Sequence, residues 1–321
     1  MSLVRVENLK KYFKVSGGWL HAVDGVTFSL DEGKTLGVVG ESGCGKSTLG
    51  RTIVHLLEST GGEIFFDEQN ITDLNNKAVK ELRKDMQIIF QDPFSSLNPK
   101  MTVSQCIAEP LRCFKTMSND MIMQRVAELM DMVGIARRLA NSYPHELDGG
   151  RRQRIGIARA LSLDPKFIVC DEPVSALDVS IQAQILNLMQ DLQESLGLTY
   201  MFITHDLSVV KHISDHILVM YLGEMVEMCE AKELFSNTCH PYTKALLSAI
   251  PVPDIDYASE RILLRGEISS PVNPGPGCRF APRCDYATPA CFEKHPAFTE
   301  VTPGHFVSCH LYEKSGAASV S

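Results

Sequence analysis

The stretch Gly40-Glu41-Ser42-Gly43-Cys44-Gly45-Lys46-Ser47 stands directly after the apolar run Leu36-Gly37-Val38-Val39 and opens a segment with helical spacing. It fits G-x-x-x-x-G-K-[ST], and each fixed position has a physical task. Glycines let backbone N–H groups close round a row of phosphates, and a helix beginning at the lysine turns its positive end toward them. Lys46 is placed to reach the β- and γ-phosphates of a nucleoside triphosphate, and the Ser47 hydroxyl to ligate Mg2+. An ordinary glycine turn needs none of this order of strand, loop, lysine, hydroxyl and helix.

Working outward, two further runs lack alternation, Phe167-Ile168-Val169-Cys170 and Tyr200-Met201-Phe202-Ile203. Together with Leu36–Val39 they predict parallel strands buried on both faces, the core of an α/β fold. The run from Phe167 ends in Asp171-Glu172, which sets one carboxylate to hold Mg2+ and another to polarise water against a γ-phosphate. Alone, two acids after an apolar strand are a common edge-of-core feature; beside a phosphate loop they gain a function. Leu3-Val4-Arg5-Val6-Glu7-Asn8-Leu9 and Gly62-Glu63-Ile64-Phe65-Phe66 alternate, predicting a half-exposed antiparallel sheet. Between Val103 and Leu139 the spacing is helical, with Val126, Leu129, Met130 and Val133 on one face, so a helical subdomain is expected over about residues 92–160.

The chain has 321 residues, 44% hydrophobic and 22% charged, which suits one large globular domain plus an appendage. With 39 acidic and 31 basic side chains the net charge is −8, which disfavours general attraction to phosphate backbones and argues against a nucleic-acid partner. No apolar run reaches the 18 or so residues that cross a bilayer, and the first residues lack a signal peptide's apolar core, so a cytosolic setting is expected. There, thiols stay reduced, and ten cysteines point to metal binding, catalysis or packing rather than disulfides.

Between the phosphate loop and the acid pair lies Leu147-Asp148-Gly149-Gly150-Arg151-Arg152-Gln153-Arg154, followed by Ile155-Gly156-Ile157-Ala158-Arg159-Ala160-Leu161. This resembles the signature motif of ABC-type ATPases. Gln91, after Met86–Phe90, resembles the Q-loop, Ser175-Ala176-Leu177-Asp178 the D-loop, and Thr204-His205-Asp206 the switch-histidine segment. The resemblance covers residues 1–250 and implies a P-loop ATPase with a RecA-like parallel core, an antiparallel β subdomain and a helical subdomain. The segments Asp92-Pro93-Phe94-Ser95-Ser96-Leu97-Asn98-Pro99 and His240-Pro241-Tyr242-Thr243-Lys244-Ala245-Leu246-Leu247 are similar to the oligopeptide/dipeptide importer branch.

That resemblance implies an ATP-hydrolysing subunit peripheral on the cytoplasmic membrane face. It also implies docking under two permease subunits fed by an extracytoplasmic peptide-binding protein, and pairing head-to-tail with a second ATP-binding subunit, most simply as a heterodimer. ATP would be held by Gly40, Glu41, Ser42, Gly43, Cys44, Gly45, Lys46, Ser47 and Thr48 with Gln91, and Asp148, Gly149, Gly150 and Asp178 would serve the shared site across the dimer. Mg2+ would be held by Ser47, Gln91 and Asp171. Glu172 would activate water, His205 would bond the γ-phosphate, and Tyr12 or Phe13 would stack on adenine, only one of two adjacent strand residues facing the ring. Gln91 is also placed to sense the permease.

The signature departs from the usual Leu-Ser-Gly-Gly-Gln: Asp148 stands where serine is usual and Arg151 where glutamine is. An ionised aspartate can accept but not donate, and it repels a γ-phosphate. Either the partner's site is slowed or Arg151 offsets Asp148. Cys44, in the loop, predicts that a thiol reagent blocks ATPase activity unless nucleotide is bound.

From Glu267 onward, prolines and glycines dominate and read as a loop-rich C-terminal module, with residues 251–321 set apart from the ATPase domain. Cys278, Cys284, Cys291 and Cys309 lie there with five, six and seventeen residues between them. Four thiols in a coreless segment suggest a metal centre: an iron–sulfur cluster, or zinc, for which the usual C-x₂₋₄-C pairs are absent and His305 or His310 could substitute as ligands. Tails of this kind in the importer ATPases resemble [4Fe–4S] sites, and the resemblance implies such a cluster on these four cysteines.

Overall fold

A computed structural model describes residues 2–115, 117–250, 261–267 and 269–313. In chain order the elements begin with β1 (Ser2–Val15), β2 (Gly18–Asp31), β3 (Thr35–Val39), α1 (Lys46–Ile53), β4 (Gly61–Phe66), β5 (Gln69–Asn70), α2 (Asn76–Asp85) and β6 (Met86–Ile89). They continue with α3 (Pro93–Ser96), α4 (Val103–Phe114), α5 (Asn119–Met132), α6 (Gly149–Leu161), β7 (Phe167–Asp171), α7 (Val179–Leu196) and β8 (Thr199–Ile203). The last are α8 (Leu207–Ile213), β9 (His216–Tyr221), β10 (Glu224–Glu230), α9 (Ala231–Ser236), α10 (Pro241–Ser248), α11 (Pro289–Glu293), β11 (Phe298–Thr302) and β12 (His305–Ser308).

The chain divides into two units. One holds Asp31–Lys34 and Asp73–Ile203. In it β6, β7 and β8 run parallel, Ile89 opposite Cys170 and Asp171 opposite Ile203. Every residue of β7 and of β8 is buried, the unalternating apolar pattern that parallel strands require. The helices α4, α5 and α6 pack on one another. Val126, Leu129, Met130 and Val133 are all at most 1% exposed, so the helical spacing in the sequence marks a buried face. Thr102 and Gln105 form a reciprocal capping box that starts α4, and Ser118 caps α5 through the Met121 N–H.

The other unit holds Ser2–Leu30, Thr35–Thr72 and the chain from Thr204 onward. Its antiparallel sheet has the order β2-β1-β4-β5. Val4 faces Phe66 and Val6 faces Ile64, so the alternating apolar residues of both strands meet on one side. In the same unit β3 pairs in parallel with β9, and β9 pairs antiparallel with β10.

The tail continues this second sheet. β12 pairs with β10, Val307 opposite Glu227, and β11 forms a hairpin with β12. A loop-rich reading of the tail misses these strands because each is short, and the buried partner they need lies far back in the chain. The boundary expected after residue 250 adjoins residues 251–260, which lie outside the described residues. Among the described residues no helix is long and apolar enough to cross a membrane.

Candidate nucleotide site and cysteine segment

The phosphate loop joins β3 to α1, and its shape depends on glycine. Gly45 has φ +106°, and a Cβ there would stand 2.0 Å from the Ala22 carbonyl oxygen; at Gly40, φ is +152° and the clash would be with the Met220 carbonyl at 2.2 Å. The loop is therefore wrapped closely by the backbone of β2 and β9. Lys46, 4% exposed, donates from Nζ to the carbonyls of Gly40 at 2.7 Å and Glu41 at 2.9 Å. Its cation is thus fixed over the loop that would enclose phosphate. Ser47 and Thr48 follow on α1, both half-buried. Cys44 is 3% exposed and its carbonyl accepts from the Gly223 N–H. Burial pushes its thiol up, against the opposing pull of Lys46. A buried, protonated sulfur is a slow nucleophile, which stands against the expected sensitivity of the loop to thiol reagents.

Upstream, Tyr12 stacks on His21 with ring centroids 3.9 Å apart, and its hydroxyl donates to Asp24. Burial acts against the Asp24 carboxylate, but bonds from Tyr12, His21 and Arg279 prevail and hold it below its usual range. Phe13 is half-buried, with the Lys11 ammonium 4.9 Å from its ring centroid. In the same unit Thr204 is buried and accepts from the Asp206 N–H, and Asp206 caps α8 through the Ser208 N–H. His205, between them, is exposed.

In the other unit Asp171 ends β7 fully buried, and Glu172 follows with φ +49°. That left-handed conformation is costly for a residue with a Cβ, by about 1–3 kcal/mol. It is held by the Glu172 N–H, which donates to the Ile203 carbonyl at 2.9 Å, and by Ser175, which bonds the Glu172 carbonyl. The side chain accepts from Gln91 Nε2 at 2.8 Å. Gln91 and Glu172, far apart in sequence, are thereby a bonded pair. Asp178 stands at the start of α7 and is exposed.

Asp148 is the cap of α6. Its Oδ1 accepts from the Arg151 N–H at 2.8 Å, and its Oδ2 lies 3.4 Å from the Arg151 guanidinium. Arg151 is thus paired with Asp148, but both side chains are more than half exposed, so solvent screens the pair and most of the Asp148 charge still faces outward. Gly149 and Gly150 open the helix, and a Cβ on Gly150 would meet Ile181 at 2.7 Å.

The tail brings its four cysteines to one cavity of about 360 Å3, lined by Cys278, Cys284, Cys291 and Cys309. Burial pushes Cys278 up to about 11 and raises Cys284 and Cys309. The two histidines offered as substitute ligands are otherwise engaged. His305 Nε2 bonds the buried Glu227 at 2.8 Å, while His310 bonds Glu313 from Nδ1 and the Lys294 carbonyl from Nε2. Glu227, Cys239 and His305 come within 4.8 Å of one another. The Glu227 oxygens there already accept from His305 and from the N–H groups of Cys239 and His240, so the trio is a satisfied hydrogen-bonded strut.

Sequence reasoning missed how the tail meets the loop. Arg283, 8% exposed, donates to both carboxylate oxygens of Glu41, at 2.8 and 3.2 Å. Tyr242 accepts through its hydroxyl from the Glu41 N–H at 2.8 Å, and Phe280 packs against both Tyr221 and Tyr242, which also touch each other. The only available signal was an arginine among the cysteines; its partner lies 242 residues away.

A Walker-type loop on a parallel-stranded core, with a strained acid after a buried aspartate, defines a P-loop ATPase of the ATP-binding cassette class. Two family models match the chain, "ABC transporter" over residues 23–175 and "Oligopeptide/dipeptide transporter, C-terminal region" over 226–291. The oligopeptide transport ATP-binding protein AppF of Bacillus subtilis is 51% identical, covering 97% of this chain and 98% of that protein. OppF of Escherichia coli is 50% identical, over 96% and 95%. Among solved structures, the ATP-binding cassette MJ0796 bound to ADP and Pi aligns with a TM-score of 0.65 at 31% identity, covering 71% of this chain and 98% of that one. The cassette cbiO1 of Clostridium perfringens, part of the transporter complex cbiONQ, gives 0.66 at 30%, over 74% and 91%. The chain belongs to the ABC transporter ATPases, in the oligopeptide/dipeptide branch.

Proposed function

We infer that this chain binds and hydrolyses ATP to drive import of di- or oligopeptides, or a related solute, through a membrane permease. The observation that carries the reading is identity of about half to oligopeptide transport ATP-binding proteins over nearly the whole chain, the cysteine tail included. Lys46, Ser47 and Thr48 are assigned to the triphosphate, the loop glycines and Cys44 to its backbone cradle, Glu172 to activation of water and His205 to the γ-phosphate. Hard oxygen donors at Ser47, Asp171 and Gln91 suit Mg2+, which supplies charge neutralisation on the phosphates. Of the two aromatics, Tyr12 is assigned to adenine, because its orientation is fixed by Asp24 and His21 whereas Phe13 carries the Lys11 ammonium against its ring.

Assembly is proposed with a second ATP-binding subunit and two permease subunits on the cytoplasmic membrane face. The four cysteines are assigned to a [4Fe–4S] cluster. Their gathering at one cavity supports a group held by all four, and the resemblance of the tail to those of the importer ATPases favours the cluster over a single zinc ion. Such a group supplies cross-linking to a segment with little core of its own.

The test is to purify the complex around this chain anaerobically, identify its partners, and measure iron, zinc and peptide-stimulated ATP turnover. Permease subunits and about four irons per chain are expected. Co-purification with RNA or DNA in place of permease overturns the transport reading, and zinc without iron overturns the cluster.

A further inference from the structure

An acid at the first variable position of a phosphate loop is an electrostatic liability, since a carboxylate beside a triphosphate repels it. Glu41 occupies that position, and its backbone carbonyl is one of the two carbonyls that accept from Lys46. In this structure the Glu41 carboxylate is answered from the tail. Arg283 meets both of its oxygens in a fork at 2.8 and 3.2 Å, the bidentate geometry in which arginine neutralises a carboxylate most completely. The guanidinium is 8% exposed and is further placed by the Tyr221 hydroxyl at 3.4 Å, while the Glu41 side chain is 25% exposed.

What presents Arg283 is the cysteine segment. The turn Cys278–Cys284 is closed by backbone bonds from Ala281 to Cys278, from Arg283 to Phe280 and from Cys284 to Ala281, and the N–H of Cys278 is fixed to the Cys291 carbonyl. Arg283 is thus one residue from a cavity-lining cysteine and in direct contact with the phosphate loop.

We propose that Arg283 is a positioning residue for ATP, delivered by the four-cysteine segment to cancel the charge of Glu41 and keep the phosphate loop receptive to a triphosphate. The proposal rests on the reading of residues 40–47 as the ATP loop. It makes the tail part of the nucleotide site, and it gives the four-cysteine segment a route by which its integrity sets ATP affinity.

The two partners of this ion pair have opposite predicted effects, which separates charge cancellation from simple bracing. ATP affinity is measured by calorimetry on the full chain, and KM and kcat on the assembled transporter. Arg283→Met leaves Glu41 bare and raises the ATP Kd and KM about tenfold, with a smaller effect on kcat, while Arg283→Lys recovers part of the loss. Glu41→Gln removes the repulsion, frees the guanidinium beside the loop and tightens ATP binding by roughly threefold. Cys284→Ser, which loosens the turn, lowers iron content and raises Kd in the direction of Arg283→Met. If Arg283→Met binds ATP as the parent does, or if Glu41→Gln weakens binding as much as Arg283→Met, the proposal is overturned and the pair is only a brace. Glu41→Gln keeps the test open should Arg283→Met fail to fold. A parent chain that does not bind ATP at all overturns instead the reading on which the proposal rests.

Discussion

Glu172 carries the most information of any single residue. Its left-handed φ of +49° is strain at a side chain bonded to Gln91, and a strained residue persists only where its surroundings hold it. Glu172→Gln keeps the shape and the bond to Gln91 but loses the base. ATP turnover should fall by about 10²- to 10⁴-fold with ATP binding retained, measured by phosphate release and by calorimetry on the same preparation. Asp148 is the second test at this scale. Serine caps a helix as well as aspartate, so Asp148→Ser should leave the melting temperature of the chain within about 2 °C while raising ATP turnover of the assembled transporter several-fold. Unchanged turnover would show that Arg151 already offsets the charge completely. The motifs that mark the family were legible in the sequence, because each is a short run of fixed residue types. Glu172's backbone strain was not, since φ is set by the Ile203 carbonyl at the end of β8 and by Ser175.

Among the elements, α10 shows how a helix start can respond to acid. His240 is 1% exposed, and its Nδ1 accepts from the Tyr242 N–H, capping the helix. Burial lowers its pKa from the usual range to about 4. The unfolded chain protonates this histidine below about pH 6.5 and the folded chain only near pH 4, so stability falls as pH drops through that window, by at most about 3 kcal/mol. His240→Asn, which can still cap, should show a shallower loss of melting temperature between pH 6.5 and 4 than the parent. The phosphate loop is the other element-scale case. Gly45→Ala puts a Cβ 2.0 Å from the Ala22 carbonyl at a φ of +106°, so the loop must shift, and ATP affinity should fall at least about tenfold by calorimetry. Helices α4 and α5 and strands β3, β7 and β8 were readable because periodicity or an unbroken apolar run marks burial directly. The strands of the tail were not, because β11 and β12 are too short to show a pattern and take their place only by pairing with β10.

For the molecule as a whole, the tail belongs to the fold that carries the phosphate loop. β12 covers the edge of β10, His305 bonds the fully buried Glu227, and Phe280 completes an aromatic cluster with Tyr221 and Tyr242. Ending the chain at residue 260 therefore uncovers a strand edge, strips a buried carboxylate of its histidine and exposes an aromatic cluster. The truncated chain should melt well below the parent and aggregate on concentration, as followed by thermal denaturation and light scattering; a melt equal to the parent's would show the tail to be an independent module.

The sequence by itself determined the class of protein, because a phosphate loop, an acid pair ending a buried strand and a signature segment are short stretches whose residues are dictated by local backbone geometry and chemistry. It also singled out four cysteines, through their crowding in a segment with little apolar content. Only the tertiary structure decided that these cysteines face one cavity, that Asp148 caps its helix beside Arg151, and that Arg283 answers Glu41 across 242 residues of chain. The reason is physical. A local requirement leaves its mark within a few residues, whereas the choice of a partner hundreds of residues away is made by packing, and nothing near either residue records it.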